Sequence, residues 1–574
     1  MRKAFYYFLI PVSLLLSSSK LSAQSWQWAR GTNSPAGGCF TESWPVTTDN
    51  FGNSFISGII VPTTVTGSDM FTMFGTHQLI DTNNVQDQMY VAKLNANGTF
   101  QWVIGSQYRP VVPSSLVADA QGNVYVFGNY CSSTIDFGGY IIPHTGTCDY
   151  FIAKLDSTGH IKWVKNVVGL DSNSQNSTGG MGIDRKGNLY VSGCFPGPSV
   201  TIGTTTLTNT DLTGVTYDIF VAKFDSGGNN IWAKSYGGDA SDYIYGMAAT
   251  EDGQVYFGGF SFSDSMVFGT STVIDPSAST GVPIAFIAKV DTLGNRLWAR
   301  SAAINKFDGF GSVATDPADN VYFTGSYLNP TITFGTHTLT NAGGFDAYLV
   351  KYDANGNLIF ANSAGGANVD NGHGVAVDSC ENVWMSGSLG PPGLTGYSIN
   401  IGSHVLAEPA SSYDPIFLAE FDNIGNYITS VAIQSGGDDE SGLAMDKVGN
   451  LYLACDYYQP TFMLGPDTLI LGLSQENIFA AKYNYNAAGA CAALAVCNTP
   501  HPADMRIFPN PGHDQISIIS PVAVEKVEVV NMMGQLVYSN AFNSENVTIN
   551  VASLPGGVYM IRVNDQYKQK FVKQ

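Results

Sequence analysis

Carboxylates gather behind paired glycines at three places in this 574-residue chain: Gly237-Gly-Asp239-Ala-Ser-Asp242, Gly365-Gly-Ala-Asn-Val-Asp370 and Gly436-Gly-Asp438-Asp439-Glu440, with Asp308 between the first two. Several oxygens brought together suit a hard cation such as Ca²⁺; the competing reading is a solvated acidic rim. Neither an EF-hand loop nor a Ca²⁺-binding nonapeptide accompanies them, so the metal is left unassigned and no other cofactor is implied. Converging carboxylates also serve glycoside hydrolysis, but no pair stands out. His77, His337 and His404 occupy one repeated slot, which marks them as structural. His373 stands alone and joins Asp239, Asp242, Asp308, Asp370, Asp438, Asp439 and Glu440 as the candidate ligand-binding set. Gly-x-Ser-x-Gly, His-Glu-x-x-His and P-loop patterns are missing, and no catalytic residue is assigned.

The elements that must position these loops are repetitive. A phrase of the type Asp-x-x-Gly-Asn, ending in an apolar-aromatic pair, runs from Asp49 to Phe55, Asp119 to Tyr125 and Asp184 to Tyr190. It returns with Thr250 in the Asp slot before Tyr256, then from Asp316 to Tyr322, Asp378 to Trp384 and Asp446 to Tyr452. The aromatic positions lie 62 to 70 residues apart. A second phrase follows each, as in Phe151-Ile-Ala-Lys154 and Phe286-Ile-Ala-Lys289, with Glu420 replacing Lys in the sixth copy. A third carries Trp102, Trp163, Trp232, Trp298 or Phe360, with Thr429 as the weak copy. Period-two alternation predicts short strands, and Asp and Gly predict hairpin turns between them. Each repeat then has four strands: a leads into the Asp, b carries the aromatic, c the Lys and d the Trp. Seven such units predict an all-β fold, a seven-bladed β-propeller. The seventh copy ends near Tyr483-Asn484 without a d strand, and Ser25-Trp-Gln-Trp28-Ala-Arg30 matches that phrase. The amino-terminal segment is therefore expected to complete the last blade and cover a sheet edge.

These phrases resemble the SBBP-type β-propeller repeats of bacterial surface and exported proteins, over roughly residues 25–485. The resemblance implies an architecture rather than a reaction. It departs at Thr250 and in the sixth copy. In a propeller the b–c and d–a loops share one face. The b–c connections 129–148, 195–216, 260–284 and 388–414 are long and unlike one another, so that face is expected to bind. Most contain a small phrase such as Phe74-Gly-Thr-His77 or Ile401-Gly-Ser-His404, read as an extra turn or hairpin. Cys131 and Cys148 could staple one such connection. Cys491 and Cys497 could close a small ring, and Cys39, Cys194, Cys380 and Cys455 have no local partner.

The two ends read as addresses. Residues 1–23 have the charged start, apolar core and small-residue exit of a secretory signal. Residues 24–486 hold the repeats, 487–503 a linker and 504–574 a separate segment whose alternation predicts a small Ig-like β-sandwich. That segment contains Ile507-Phe-Pro509-Asn510-Pro511, a run from Val527 through Gly534 to Val537, Leu554-Pro555-Gly-Gly557-Val-Tyr559 and Lys570-Phe-Val-Lys573. It closely resembles the type A C-terminal sorting domain of the type IX secretion system. The resemblance implies a Bacteroidota-type exported protein whose partner is the type IX machinery, released or attached to the surface after export.

Net charge is −20, with 13% charged residues. That argues against nucleic acid as a partner, since phosphate binding needs clustered cations. No apolar stretch after the signal is long enough to span a bilayer, so the mature form is expected to have no transmembrane segment. Taken together, these features predict a non-catalytic, exported binding or cell-surface interaction module with a glycan or protein ligand. The alternatives are a secreted carbohydrate-active enzyme with carboxylates at the channel mouth, and a structural surface or adhesion component.

Overall fold

The computed structural model describes residues 25–33, 39–62, 70–81, 88–107, 111–170, 179–268, 271–274, 283–303, 310–390, 398–407, 415–435, 441–471, 476–484, 506–508, 512–531, 535–564 and 567–574. Every regular element among them is a β-strand. The chain divides into two compact units, one spanning Ser22–Tyr485 and the other holding Asn486–Gln574.

In the larger unit the strands form four-membered antiparallel sets. The second repeat is typical. Its strands are a (Val111–Ala118), b (Val124–Tyr130), c (Cys148–Leu155) and d (Ile161–Leu170), hydrogen-bonded in that order. The first repeat uses Cys39–Thr48, Ser54–Pro62, Gln88–Leu94 and Phe100–Gln107 in the same way. The seventh has Gly442–Met445, Asn450–Tyr457 and Asn477–Asn484, and its sheet continues onto Ser25–Asn33. That pairing runs from Ser25↔Asn484 to Gly31↔Phe479. The neighbouring hairpin holds this strand as well: the Ala29 amide and the Arg30 guanidinium both bond Asp467, at 2.9 and 2.7 Å.

Each b–c connection contains the extra hairpin. In the second repeat its strands are Thr134–Phe137 and Tyr140–Pro143. In the first, second and sixth repeats the hairpin stitches neighbours, because its first strand bonds the d strand before it, as in Asp136↔Gln107 and Asn400↔Gly365; in the fourth a single bridge, Gly237↔Val267, does so. The slot histidines serve this packing. His77 Nε2 lies 3.2 Å from the Phe100 carbonyl, and His404 stacks on Tyr427 at 4.4 Å.

The repeated phrases form one cluster at the turn end. The Asp119 carboxylate accepts bonds from the Gln121 and Asn123 amides, the Asn123 side chain and the Tyr125 hydroxyl. Lys154 lies over the Tyr125 ring, 4.8 Å from its centroid. Lys93 and the Trp102 indole both donate to the Ser157 carbonyl in the c–d turn of the next repeat, at 2.9 and 3.3 Å. Lys289 and Trp298 do the same at Ala354, both at 3.0 Å. A β-bulge follows the Lys in each of the first six c–d pairs, and Glu420 takes that slot in the sixth.

The a strands of successive repeats press together. Four residues before each turn Asp or Thr stand Pro45, Ser115, Gly180, Gly246, Ser312, Gly374 and Gly442, all small. A Cβ on Gly180 would come 2.6 Å from Met247 Cβ, so a larger side chain would separate the strands. Ser115 and Ser312 use the closeness, accepting bonds from the Met181 and Val375 amides of the following repeat.

In the smaller unit the structure corrects the six separate strands expected. Among the described residues the unit is one five-stranded sheet in which Gln515–Asn531 and Leu536–Asn550 run as long partners. Bulges at Ile519/Val524 and Val524/Lys526 bend the ladder without ending it. Its core packs Ile516, Ile518, Val527, Val529, Ile561 and Phe571.

Two turns break the glycine rule: Asp319 and Glu381 take the left-handed conformation at φ 62° and 64°. A non-glycine residue there costs roughly 1–2 kcal/mol, part of which is returned through glycine's freedom in the unfolded chain. Asp319→Gly is expected to stabilise the protein by about 0.5–1 kcal/mol in urea unfolding. A loss of stability would show that the Asp319 side chain contributes more than its backbone costs.

Candidate functional site

The loop end of the larger unit holds the described members of the candidate set. Asp242 opens an a strand (Asp242–Ala249) and is fully buried. Its carboxylate accepts bonds from the Gly238 amide at 2.7 Å and from the Ser261 and Ser263 hydroxyls. Asp370 does the same two junctions further on, accepting from the Gly366 amide at 2.7 Å and the Gly390 amide at 3.3 Å. The paired glycines exist for this packing: a Cβ on Gly237 would overlap the Asp218 carboxylate, and one on Gly365 the Asp346 carboxylate. These aspartates pin the d–a loops from inside, which accounts for them without a ligand.

Asp218 and Asp346 sit at the starts of c strands, one repeat before those loops, and sequence reasoning missed them. Asp218 accepts from the Thr210 amide and hydroxyl, and Asp346 from the Ala342 amide. Both are nearly inaccessible. Burial pushes the Asp242 carboxyl up to about 7, with the Asp218 charge adding to the rise and the Ser261, Gly238 and Ser263 bonds opposing it. Burial likewise raises Asp218 and Asp346 to about 6. The signal that would have found them is the Asp two residues before the aromatic of the second phrase, seen at Asp149, Asp218 and Asp346.

The exposed Asp239 accepts the Asp264 amide at 3.0 Å. His373 lies in Asp370–Val377, buried, with burial pushing its ring down to about 4. Its Nε2 reaches the Ser388 hydroxyl at 3.5 Å, and its Nδ1 has no partner among the described residues. Asp308, Asp438, Asp439 and Glu440 lie outside the described residues. Among the described residues no three His, Cys, Asp or Glu side chains converge as metal ligands.

Cys131 and Cys148 form the disulfide that closes the second b–c connection. Cys194 and Cys455 are buried free thiols, and Cys380 is disulfide-bonded. Cys491 and Cys497 lie outside the described residues, as do residues 1–23. In the smaller unit, Tyr559 donates to the Pro555 carbonyl, Leu554 packs on the core, and Gly557 pairs with Lys573 and Met560 with Lys570. Pro509, Asn510, Pro511 and Gly534 are outside the described residues.

The opposite, turn end of the larger unit carries a cavity of about 420 Å³ among the a–b turns of repeats 1, 2, 3, 4 and 7. Sequence reasoning passed over it, because the turn phrase reads as geometry alone.

Residues 506–574 match the family model described as Secretion system C-terminal sorting domain. An uncharacterised WD repeat-containing protein of Acanthamoeba polyphaga mimivirus is 24% identical over 446 residues, 65% of this chain and 31% of that protein. A regulatory protein of Caulobacter vibrioides is 26% identical over 215 residues, 37% of this chain and 21% of its own length. The chain thus spans about a third or less of the curated relatives it matches. Among solved structures, PorZ, a bacterial surface component of the type IX secretion system of Porphyromonas gingivalis, aligns at 9% identity and TM-score 0.22, covering 93% of this chain and 82% of that one. The sorting domain links the chain to the type IX secretion machinery and supports export to the surface or the medium.

The raised Asp242 carboxyl has a pH consequence. Its folded value lies above its unfolded one, so its contribution is complete below about 4 and is lost as pH rises through about 7. In urea unfolding, the protein should lose stability relative to Asp242→Asn between those limits, by on the order of 2 kcal/mol. A difference that stays constant with pH would mean that the carboxyl titrates as it does in water.

Proposed function

We propose that residues 25–484 close into a seven-bladed propeller, latched by Ser25–Asn33, that acts as a non-catalytic binding or surface-interaction module after export. The amino-terminal segment 1–23 serves as the secretion signal and residues 504–574 as the type IX address. The carrying observation is a contrast. Turns, strands and hairpins repeat, while the return segments from each hairpin to strand c differ in length and chemistry. Most of those segments lie outside the described residues. Asn209–Thr216 is described, and it exposes Leu212 at 67% and Val215 at 78%. Exposed apolar side chains on a return loop suit a protein or glycan partner. The likeness to a WD repeat-containing protein and the Ser25–Asn33 pairing support the propeller reading.

Latching is tested at Trp28, which is buried, donates to the Ala96 carbonyl at 3.1 Å and packs on Tyr452. Trp28→Ala should destabilise the whole repeat region by about 3–5 kcal/mol, with one unfolding transition moved as a unit. A separate early transition confined to the seventh and first repeats would favour an open array.

Binding is tested with the full-length exported protein against glycans and surface extracts. Leu212→Asp with Val215→Asp should weaken capture about tenfold at unchanged melting temperature. Turnover of an oligosaccharide that disappears in an Asp239 or Asp370 variant would replace this reading with the enzyme alternative.

A further inference from the structure

The turn-end cavity has a chemistry of its own. In each a–b turn the Asp, or Thr250 in the fourth, collects donors, the fourth residue takes positive φ, and the Asn, or Gln254, closes the hairpin. Only the two residues after the Asp are free of these duties. They are Asn50-Phe51, Ala120-Gln121, Arg185-Lys186, Glu251-Asp252 and Lys447-Val448 in the repeats that bound the cavity. Repeat geometry does not dictate what stands there, yet three of the four side chains that carry fixed charge into the lining from these positions are cationic: Arg185, Lys186 and Lys447.

Charge bookkeeping sharpens the point. The turn carboxylates facing the cavity, Asp49, Asp119 and Asp184, are already occupied. Asp49 accepts from the Phe51 and Asn53 amides and the Asn53 side chain. Asp119 has four hydrogen-bond donors and Lys154 at 3.8 Å, and Asp184 has four donors and Lys223 at 3.9 Å. Arg185 and Glu251 pair with each other. Lys186 and Lys447 are exposed and have no ion-pair partner among the described residues, in a chain of net charge −20. The Asn50 and Gln121 side-chain amides line the same space, also without a described hydrogen bond. No exposed aromatic ring joins the lining, since Tyr125 is buried.

We infer that the turn-end cavity binds an acidic saccharide, a sugar residue bearing a carboxylate or sulfate. The two ammonium groups take the anionic oxygens, and the two amides take ring hydroxyls as donors and acceptors. A nucleotide base would lack the stacking platform it uses elsewhere, and an apolar peptide side chain would find no apolar pocket. The cavity size falls in the roughly 300–1,000 Å³ range of small-ligand sites.

The test is calorimetry on the full-length protein with a short galacturonic acid oligomer, a sulfated disaccharide, a neutral galactose oligomer and inorganic sulfate, at low and high salt. The acidic saccharides should bind, more weakly in high salt, and the neutral oligomer should not. Lys186→Glu with Lys447→Glu should weaken binding about tenfold or more, while Lys447→Arg retains it. Leu212→Asp with Val215→Asp should leave it unchanged, which separates this site from the loop-end surface. If the double variant melts early, Asn50→Asp with Gln121→Glu supplies the same readout. Absence of binding, binding indifferent to either pair of substitutions, or inorganic sulfate bound as tightly as the saccharides would each overturn the inference.

Discussion

A buried ammonium held over an aromatic ring organises the turn end of the repeat region. Lys93, Lys154, Lys223, Lys289, Lys351 and Lys482 each lie 4.8–5.3 Å from the ring centroid of the strand b aromatic beside them. Burying a cation is costly unless it is compensated. Here the ring face, the turn carboxylate (for Lys289, whose turn carries Thr250, Asp319 of the next repeat) and, for Lys93, Lys289 and Lys351, a carbonyl of the next repeat offset that cost together. That last contact makes the interaction more than local. A side chain that belongs to one sheet satisfies a turn in its neighbour, and the tryptophan beside it repeats the gesture. The sixth repeat lacks the cation. Glu420 stands in its place beside Trp384, whose ring meets Tyr483 of the seventh repeat at 5.7 Å.

The all-β class and the strand phrases were legible because each strand is short, alternating and bounded by an Asp–Gly turn, so period and punctuation agree. Asp119 could be placed in its turn and Tyr125, Lys154 and Trp163 on strands from spacing alone, and the Cys131–Cys148 bridge from their shared loop. The depth of Asp242 and Asp370 was not legible. An acidic loop rich in glycine has the same letters whether its carboxylates face water or cap amides inward. The deciding feature, the Gly237 and Gly365 contacts with Asp218 and Asp346, joins residues from different strands. In the smaller unit, bulges around Val524 let two expected strands merge, because a strand can bend through a bulge while its hydrogen-bond ladder continues.

The two ends of the larger unit thus use carboxylates oppositely. At the loop end, aspartates are sunk into the sheet junctions and accept bonds from backbone amides, and burial raises the carboxyls of Asp242, Asp218 and Asp346. At the turn end Asp119, Asp184 and Asp316 stay paired with lysines, and the positions next to the turn aspartates are released for variation. Structural carboxylates repeat in register, whereas the cations at Arg185, Lys186 and Lys447 do not. Departures from the repeat, rather than the repeat itself, mark where chemistry specific to this chain is written.

The junction of Ser25–Asn33 with Asn477–Asn484 has a temporal side. Thr32 accepts the amide of Ile478, 446 positions later. Few contacts in a single chain span so much sequence, and pairings of that range are slow to form. During synthesis or passage through a pore, the leading strand must wait with an open edge until the last repeat emerges. It is then a template for any other chain nearby. Arg30, whose guanidinium later finds Asp467, puts a charge on that waiting edge, the kind of gatekeeper that keeps an unfinished strand from pairing with a stranger.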